Sequence, residues 1–335
     1  MIQNVLVTGA SGFVGSHVAD ELHRRGLRVF ALMRRSSSSE WLQSVPHEVR
    51  EGSLSDADSL QAAVRGMDAI IHVAGATSAS SREAFFDHNA WGTRRLLQAT
   101  LDKAPQLQRF LNVSSLAASG PTLNGGPRVE SDPPHLVSAY GESKQEAERH
   151  VQEFATRIPC LSVRPPLVFG PRDRGVLTIA QTVARGWMAL LPSEPAVPSK
   201  LYSQIFVEDL ARGIVDLTLS PSVGWNSGEA FFLSAPEVVT QEQIFETMAL
   251  AIGKKLRRVR IPAWTIRGLA QGLGFIGSFT GRSFSLNPDK LGELLAPAWT
   301  CSPEKAHRVF GFEASTSFAD GIERTMSWYK KQGWI

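Results

Sequence analysis

Cysteine is nearly absent: Cys160 and Cys301 are the only two in 335 residues. They lie far apart and in no metal-ligand spacing. That excludes a disulfide framework, gives no reason to expect a metal site, and fits a reducing cytoplasm. Excess charge is also missing. A net charge of +3 is too small to argue for a nucleic-acid partner. One basic cluster, Lys254, Lys255, Arg257, Arg258 and Arg260, reads as a solvated strand edge. The opening run "MIQNVLVTGA" has no basic region followed by a long apolar one, so no signal peptide is expected. There is no clean apolar run of spanning length either. The best candidate, "IPAWTIRGLAQGLGFIGSF", is interrupted by Arg267, Gln271 and four glycines. It reads first as a helix lining an apolar substrate pocket and second as a membrane-surface contact over residues 262–280. Internal repeats are absent, and "RRSSSSE" from Arg34 is the one biased segment.

What is present is ordinary globular composition, 43% hydrophobic and 20% charged, in a chain long enough for two domains. Strand-like runs "NVLVTG", "RVFALM", "DAIIHVAG", "RFLNVSS" and "PCLSVRPPLVF" alternate with helical patterns. Those helices are expected from Val14 to Arg25, Asp56 to Val64, Arg82 to Leu101 and Ser138 to Thr156. Short apolar strands separated by helices argue an α/β fold, a parallel sheet covered on both faces. After Pro165, prolines and glycines become frequent and the pattern changes. A dinucleotide-binding Rossmann domain is expected over 1–165 and 201–235. A smaller C-terminal α/β substrate-binding domain is expected over 166–200 and 236–335.

The first turn, "VTGASGFVGSHV", sets Gly9, Gly12 and Gly15 after a strand and at the head of a helix. In that context the triplet fits a dinucleotide fingerprint. Gly9 allows the tight turn, Gly12 lets backbone approach a pyrophosphate, and Gly15 lets the helix pack on the strand. Ser11, Phe13 and Val14 complete the turn, whose N–H groups would face the phosphates. The strand "RVFALM" then ends in Arg34 and Arg35, followed by four serines; no carboxylate comes until Glu40. A guanidinium fork and hydroxyls suit a 2′-phosphate better than a ribose diol. NADP(H) is therefore expected over NAD(H).

The chain has three tyrosines, and one of them, Tyr140, stands four residues before Lys144 in "SAYGESKQEAERH". The pair shares a helix face. By itself the spacing reads as a solvated edge, and the rest of the chain must raise it above that.

Taken together, these motifs resemble the extended short-chain dehydrogenase/reductase family through most of the chain. The resemblance is carried by the glycine turn, "HVAGA", "NAWGTRRLLQA", "NVSS", the Tyr140–Lys144 pair, "RPPLVFGP" and "FVEDLARG". It is nearest to the branch of dihydroflavonol reductases and 3β-hydroxysteroid dehydrogenases. It implies that Tyr140 passes a proton to a carbonyl or from an alcohol. Lys144 would lower the phenol's pKa and hold the nicotinamide ribose, and Ser115 would orient the substrate oxygen. Ser114 is the lesser candidate and would cap the strand end. Asn89 matches the family's helix asparagine, a support for a water relay or a packing amide. Val73, Ala74 and Gly75 would lie against the cofactor ribose; Val113, Arg164–Pro166 and Val168 would flank the nicotinamide. His72 reads as a strand-end histidine, and Asp209 in "FVEDLARG" as structural. One departure is "GSLSD", where Ser53, with Leu54 beside it, stands in place of the family's adenine-binding aspartate. Another is Ser115-Leu116-Ala117, which lacks the acid of nucleotide-sugar dehydratases.

The resemblance implies an NADPH-dependent reductase of a ketone or aldehyde, or the reverse alcohol oxidation. A nucleotide-sugar epimerase with tightly held NAD and a non-catalytic dinucleotide sensor are the alternatives. The run "PAWTIRGLAQGLGFIGSFTGRSFSL" suggests a hydrophobic small-molecule substrate. A homodimer is expected, with Phe85, Phe86 and Leu96 supplying apolar contacts across a two-fold.

Overall fold

The structure is a computed structural model that describes residues 1–123, 126–192, 199–280 and 289–335. The part of the apolar run beyond 280 lies outside the described residues.

In chain order the strands are β1 (Asn4–Thr8), β2 (Arg28–Met33), β3 (His47–Glu51), β4 (Ala69–His72), β5 (Arg109–Val113), β6 (Cys160–Arg164), β7 (Leu167–Phe169), β8 (Trp187–Leu190), β9 (Leu201–Phe206), β10 (Ala230–Phe232), β11 (Val238–Thr240), β12 (Arg257–Arg260) and β13 (Ala298–Trp299). The helices are α1 (Phe13–Arg24), α2 (Ala57–Ala63), α3 (Arg82–Phe85), α4 (Gly92–Lys103), α5 (Ala139–Phe154), α6 (Leu177–Ala184), α7 (Val207–Leu219), α8 (Gln241–Ile252), α9 (Ala263–Thr280), α10 (Leu291–Leu295), α11 (Glu304–Phe310) and α12 (Phe318–Lys331).

Among the described residues, seven strands form the larger sheet in the order β3-β2-β1-β4-β5-β6-β10. Every pairing is parallel. This is the doubly wound Rossmann arrangement. Strand order reverses between β1 and β4, which opens a crevice at their carboxyl ends. Side chains alternate across the sheet. Val5 and Val7 join the core under α1 and α7, while Leu6 joins the one under α2, α4 and α5. Burial on both faces explains why these strands read as continuous apolar runs.

The strand β3, "HEVRE", is polar and largely exposed. It lies at the sheet's edge, where charge discourages pairing with other chains. Its pattern carries no apolar run to announce it.

From Arg82 to Lys103 the chain is helical throughout, but Phe86–Trp91 forms a π turn between α3 and α4. Such turns are rare and favour functional sites; this one carries Asn89.

The smaller unit holds β11-β9-β13, with β7 on β9, and the pair β8-β12. Its core gathers Phe169, Phe206, Phe245, Phe318 and Tyr329. Leu201–Phe206 belongs to this smaller sheet, whereas α7 packs on α1 and β10 extends the larger one. Among the described residues, no helix is long and apolar enough to cross a membrane.

Candidate active site

The glycine turn closes against the loop after β4, across the crevice. Gly9 has φ of +69°, and a Cβ there would sit 2.8 Å from the Ala74 nitrogen. A Cβ on Gly15 would meet the Gly9 oxygen at 2.1 Å. Both positions therefore require glycine. Gly12 is the N-cap of α1 and donates its N–H to the Gly9 oxygen at 2.9 Å. Phe13 and Val14 begin the helix behind it.

A cleft of about 430 Å³ opens beside this turn. Of the expected cofactor residues, Gly9, Ser11, Arg34, Ser53, Leu54, Ala74 and Gly75 line it. Ser37, His88 and Arg95 line it as well. His88 lies outside the quoted motifs, and Arg95 lies within "NAWGTRRLLQA" but was not singled out there. Arg95 is pinned to the wall, donating to the Leu54 oxygen at 2.6 Å and to Asp87 at 3.0 Å. The two arginines after β2 part company. Arg34 faces the cleft, and its backbone is braced by Ser37: Arg34 N–H donates to Ser37 Oγ at 3.2 Å. Arg35 instead turns to Glu51 on the edge strand and pairs with it. Ser53 Oγ is 2.9 Å from Ser55 Oγ, and both serines line the cleft. Crowded glycines and a helix N-terminus at the mouth make a cradle that fits a dinucleotide.

Beyond Gly75 lie the catalytic candidates. A Cβ on Gly75 would come within 3.2 Å of Lys144 Nζ and 3.0 Å of Asn89 Oδ1. Ser115 N-caps the short turn after β5 and accepts from Ala117 N–H at 3.1 Å. Ser138 caps α5, accepting from Gly141 N–H at 3.1 Å, which fixes the turn bearing Tyr140. Tyr140, Lys144 and Glu148 follow at one-turn intervals on a single face. Lys144 Nζ donates to the Val113 oxygen at 2.8 Å. Pro165 caps the neighbouring strand end by accepting from Leu116 N–H at 2.9 Å, and Val168 packs on the core under α1 and α7. Glu148 is buried and grips Arg164 through two guanidinium nitrogens, at 2.6 and 3.0 Å. Arg164 is thereby a brace for α5. Ser114 is buried, and its Oγ has no partner among the described residues.

The electrostatics differ from the expectation. Burial pushes the Tyr140 phenol up to about 12; a hydrogen bond from Ser115 opposes this and the Glu293 charge adds to it. Desolvation of the phenolate sets the direction, and Lys144 is not among the groups that lower the phenol's pKa. Burial also pulls Lys144 down to about 8, against the pull of Glu148. At neutral pH the pair is a protonated phenol beside an ammonium.

Asn89 and His72 hold this site together. Asn89 is 1% exposed; Oδ1 accepts from Ala76 N–H at 2.7 Å, and Nδ2 donates to the Ala76 oxygen and to Ser143 Oγ at 3.0 and 2.9 Å. Both amide hydrogens are thus spent in clamping the β4 loop to α5. His72 is equally buried, between Thr8 Oγ1 at 2.7 Å and Thr93 Oγ1 at 3.0 Å. Thr93 donates onward to the Asn89 oxygen, and Thr8 accepts from Ala74 N–H. The histidine therefore donates through Nε2 and accepts at Nδ1. Burial and the Lys144 charge drop its pKa to about 3, which keeps it neutral. Asp209 is structural in the same sense, its carboxylate accepting from Arg212, Ser315 and Thr316.

The smaller unit contributes directly. Asp289 Oδ1 accepts from Ala139 N–H at 2.6 Å, and Glu293 accepts from the Ser138 hydroxyl. Lys290 pairs with Glu293 at 2.6 Å and lies 4.8 Å from the centre of the Tyr140 ring. No motif pointed to these three. Among the described residues, no cluster could hold a metal ion. Burial drives both cysteine thiols up to about 12, so neither offers a thiolate.

The sequence pattern of the NAD dependent epimerase/dehydratase family matches residues 5–228. The chain belongs to that family. It is an NAD(P)-dependent enzyme of the extended short-chain dehydrogenase/reductase type. It is 29% identical to the ceramide reductase of Caulobacter vibrioides, over 99% of this chain and 96% of that one. It is 27% identical to a putative dihydroflavonol 4-reductase of a Synechocystis species, over 98% and 95%. The fold matches a UDP-glucose 4-epimerase of Thermotoga maritima with a TM-score of 0.78 at 21% identity, covering 98% and 99% of the two chains.

Proposed function

We propose that the chain is an NADPH-dependent reductase of a hydrophobic ketone or aldehyde, able to run the reverse oxidation. The observation that carries this reading is a protonated phenol, Tyr140, set beside Ser115 and Lys144 at the far end of a dinucleotide cleft. The glycine turn, Ser11, Ala74 and Gly75 hold the dinucleotide backbone; Arg34 with Ser37 takes the 2′-phosphate. A bound nicotinamide supplies the hydride.

The chain's own residues do the rest. Ser115 donates to the substrate oxygen and fixes it. Tyr140 gives its proton to that oxygen as the alcohol forms. The Lys144 ammonium then steadies the phenolate left behind. Tyr140 holds its proton at neutral pH, and the Lys144 ammonium, by favouring the phenolate, eases its release. The absence of an acid beside Ser115 disfavours elimination. Two relatives bear reductase names, which supports the same direction.

The test is a screen of hydrophobic ketones with NADPH, followed by Tyr140→Phe on any that turn over. The variant keeps the ring against Phe85, whose centre lies 6.0 Å away. Cofactor binding is expected to survive, and turnover to fall by ~10²–10⁴-fold. A Tyr140→Phe enzyme as fast as the wild type defeats the assignment. Ser115→Ala is expected to cost less.

A further inference from the structure

One stretch of the chain has no carboxylate at all. From Thr247 to Pro288 there is neither Asp nor Glu, yet seven Lys and Arg fall within it. The whole chain carries only +3, so the remainder is net acidic. The positive charge of this protein is therefore concentrated in one place.

The fold puts the six of these basic residues that lie among the described residues on the surface of the smaller unit. Every residue of β12, "RRVR", is exposed, and so are Lys254 and Lys255 before it. Among the described residues, one ion pair touches this set: Arg258 with Glu246. Lys254, Lys255, Arg257, Arg260 and Arg267 have none. Large apolar side chains stand among them. Trp264 is 73% exposed, Leu269 58% and Leu250 84%. Arg257 lies over the half-exposed Trp187 ring, its partner in the β8–β12 register. In α9, Ile266 and Ala270 turn inward, one turn apart, while Trp264, Arg267 and Leu269 face out.

We propose that β12, its flanking lysines and the first half of α9 dock the protein on an anionic lipid bilayer. Basic residues bind the headgroups there, and Trp264, Leu250 and Leu269 enter the interface. Tryptophan prefers that depth, where one end of the ring is wet and the other apolar. A second copy of the chain is a poor occupant, since an isologous contact would set like charges together. A nucleic-acid backbone would leave the leucines unsatisfied. The position matters for chemistry. The helix α9 packs on α10, and the α10 segment holds the head of α5 through Asp289 and Glu293. A docked α9 lies within two packed elements of Tyr140, so an amphiphilic substrate could be drawn from the bilayer. That last clause rests on the reductase reading; docking itself does not.

The experiment is flotation of the full chain with mixed phosphatidylcholine–phosphatidylglycerol vesicles, and with phosphatidylcholine alone. Binding is expected with the mixed vesicles, falling with added salt, and weak with phosphatidylcholine. Lys254→Gln with Lys255→Gln is expected to weaken partition about thirty-fold, at roughly five-fold for each basic residue. Trp264→Ser should cost about ten-fold through lost apolar burial. All variants should still bind NADPH, which shows that they fold. Equal binding to both vesicle types, no binding to the mixed ones at low salt, or unchanged partition in the variants overturns the proposal. Tighter binding to random-sequence duplex DNA than to mixed vesicles overturns it too. If no soluble ketone is reduced by the wild type, the reductase reading fails while the flotation result still stands.

Discussion

At the residue scale, the two arginines after β2 are the sharpest case. The sequence treats Arg34 and Arg35 alike, but the chain bends so that only Arg34 faces the cleft, while Arg35 is spent on Glu51. Arg34→Ala is therefore expected to weaken NADPH about 10-fold or more, as loss of a charge-assisted bond implies, and to leave NADH nearly untouched. Arg35→Ala should change the ratio little; titration of both nucleotides on both variants decides it. Equal affinity of the wild type for NADH and NADPH would rule out the NADPH assignment. Lys144 offers a second test. Its folded value, about 8, lies below the ordinary lysine value of 10.5, so folding disfavours its charged form. Its contribution to stability should therefore rise as pH climbs from 8 towards 10.5. Its contribution to rate goes the other way: kcat/KM for reduction should fall above pH 8 as the ammonium is lost. A pH–rate profile flat to pH 10 would remove Lys144 from proton transfer. Tyr140 and Lys144 stand out in the sequence as a one-turn pair, and Ser115 by resemblance alone. The network of His72, Thr8, Thr93 and Asn89 was not legible there, since it joins two strands and a helix that only the folded sheet brings together.

At the scale of elements, the four helices bounded from the sequence agree with the structure to within two residues. Ser138 and Asp56 sit as N-caps of α5 and α2. The strand β3 was hidden because an edge strand owes the core little, and its charges erase the alternation. The π turn at Phe86–Trp91 left no mark either, since composition reads as helix on both sides of the extra residue. The α10 segment was the largest gap. Its acids complement the positive end of α5 from a distance of some 150 residues in sequence. Asp289→Ala and Glu293→Ala should each cost about 0.5–2 kcal/mol, as lost caps do. Both should reduce turnover while leaving NADPH affinity intact. Denaturant melts and nucleotide titration separate the two effects; a loss of nucleotide affinity equal to the loss of rate would show that α10 supports the whole fold instead.

At the scale of the molecule, the doubly wound sheet follows from the order of apolar runs, and the crevice follows from the sheet. Assembly is less direct. Phe85 and Leu96, expected to pair across a two-fold, are buried within their own chain, 2% and 0% exposed. Phe85 is taken by Tyr140, and Leu96 faces the sheet. Helical phase alone could not show this, because the π turn shifts which side faces out. What stays outside on this helix is Trp91, 43% exposed, with Phe86 beneath Arg82. If a homodimer forms through this helix, Trp91→Glu should drive it to monomer. A dimer mass that survives the change, by light scattering over a concentration series, places the contact elsewhere. The α10 contact has a further consequence, for biosynthesis. The nucleotide cleft is lined entirely by residues that emerge early from the ribosome, the last being Arg95. The tyrosine's helix receives its last two acceptors only when Asp289 and Glu293 emerge, nearly at the end of translation. A nascent chain can thus gather its nucleotide site well before the helix that carries its acid is locked in place.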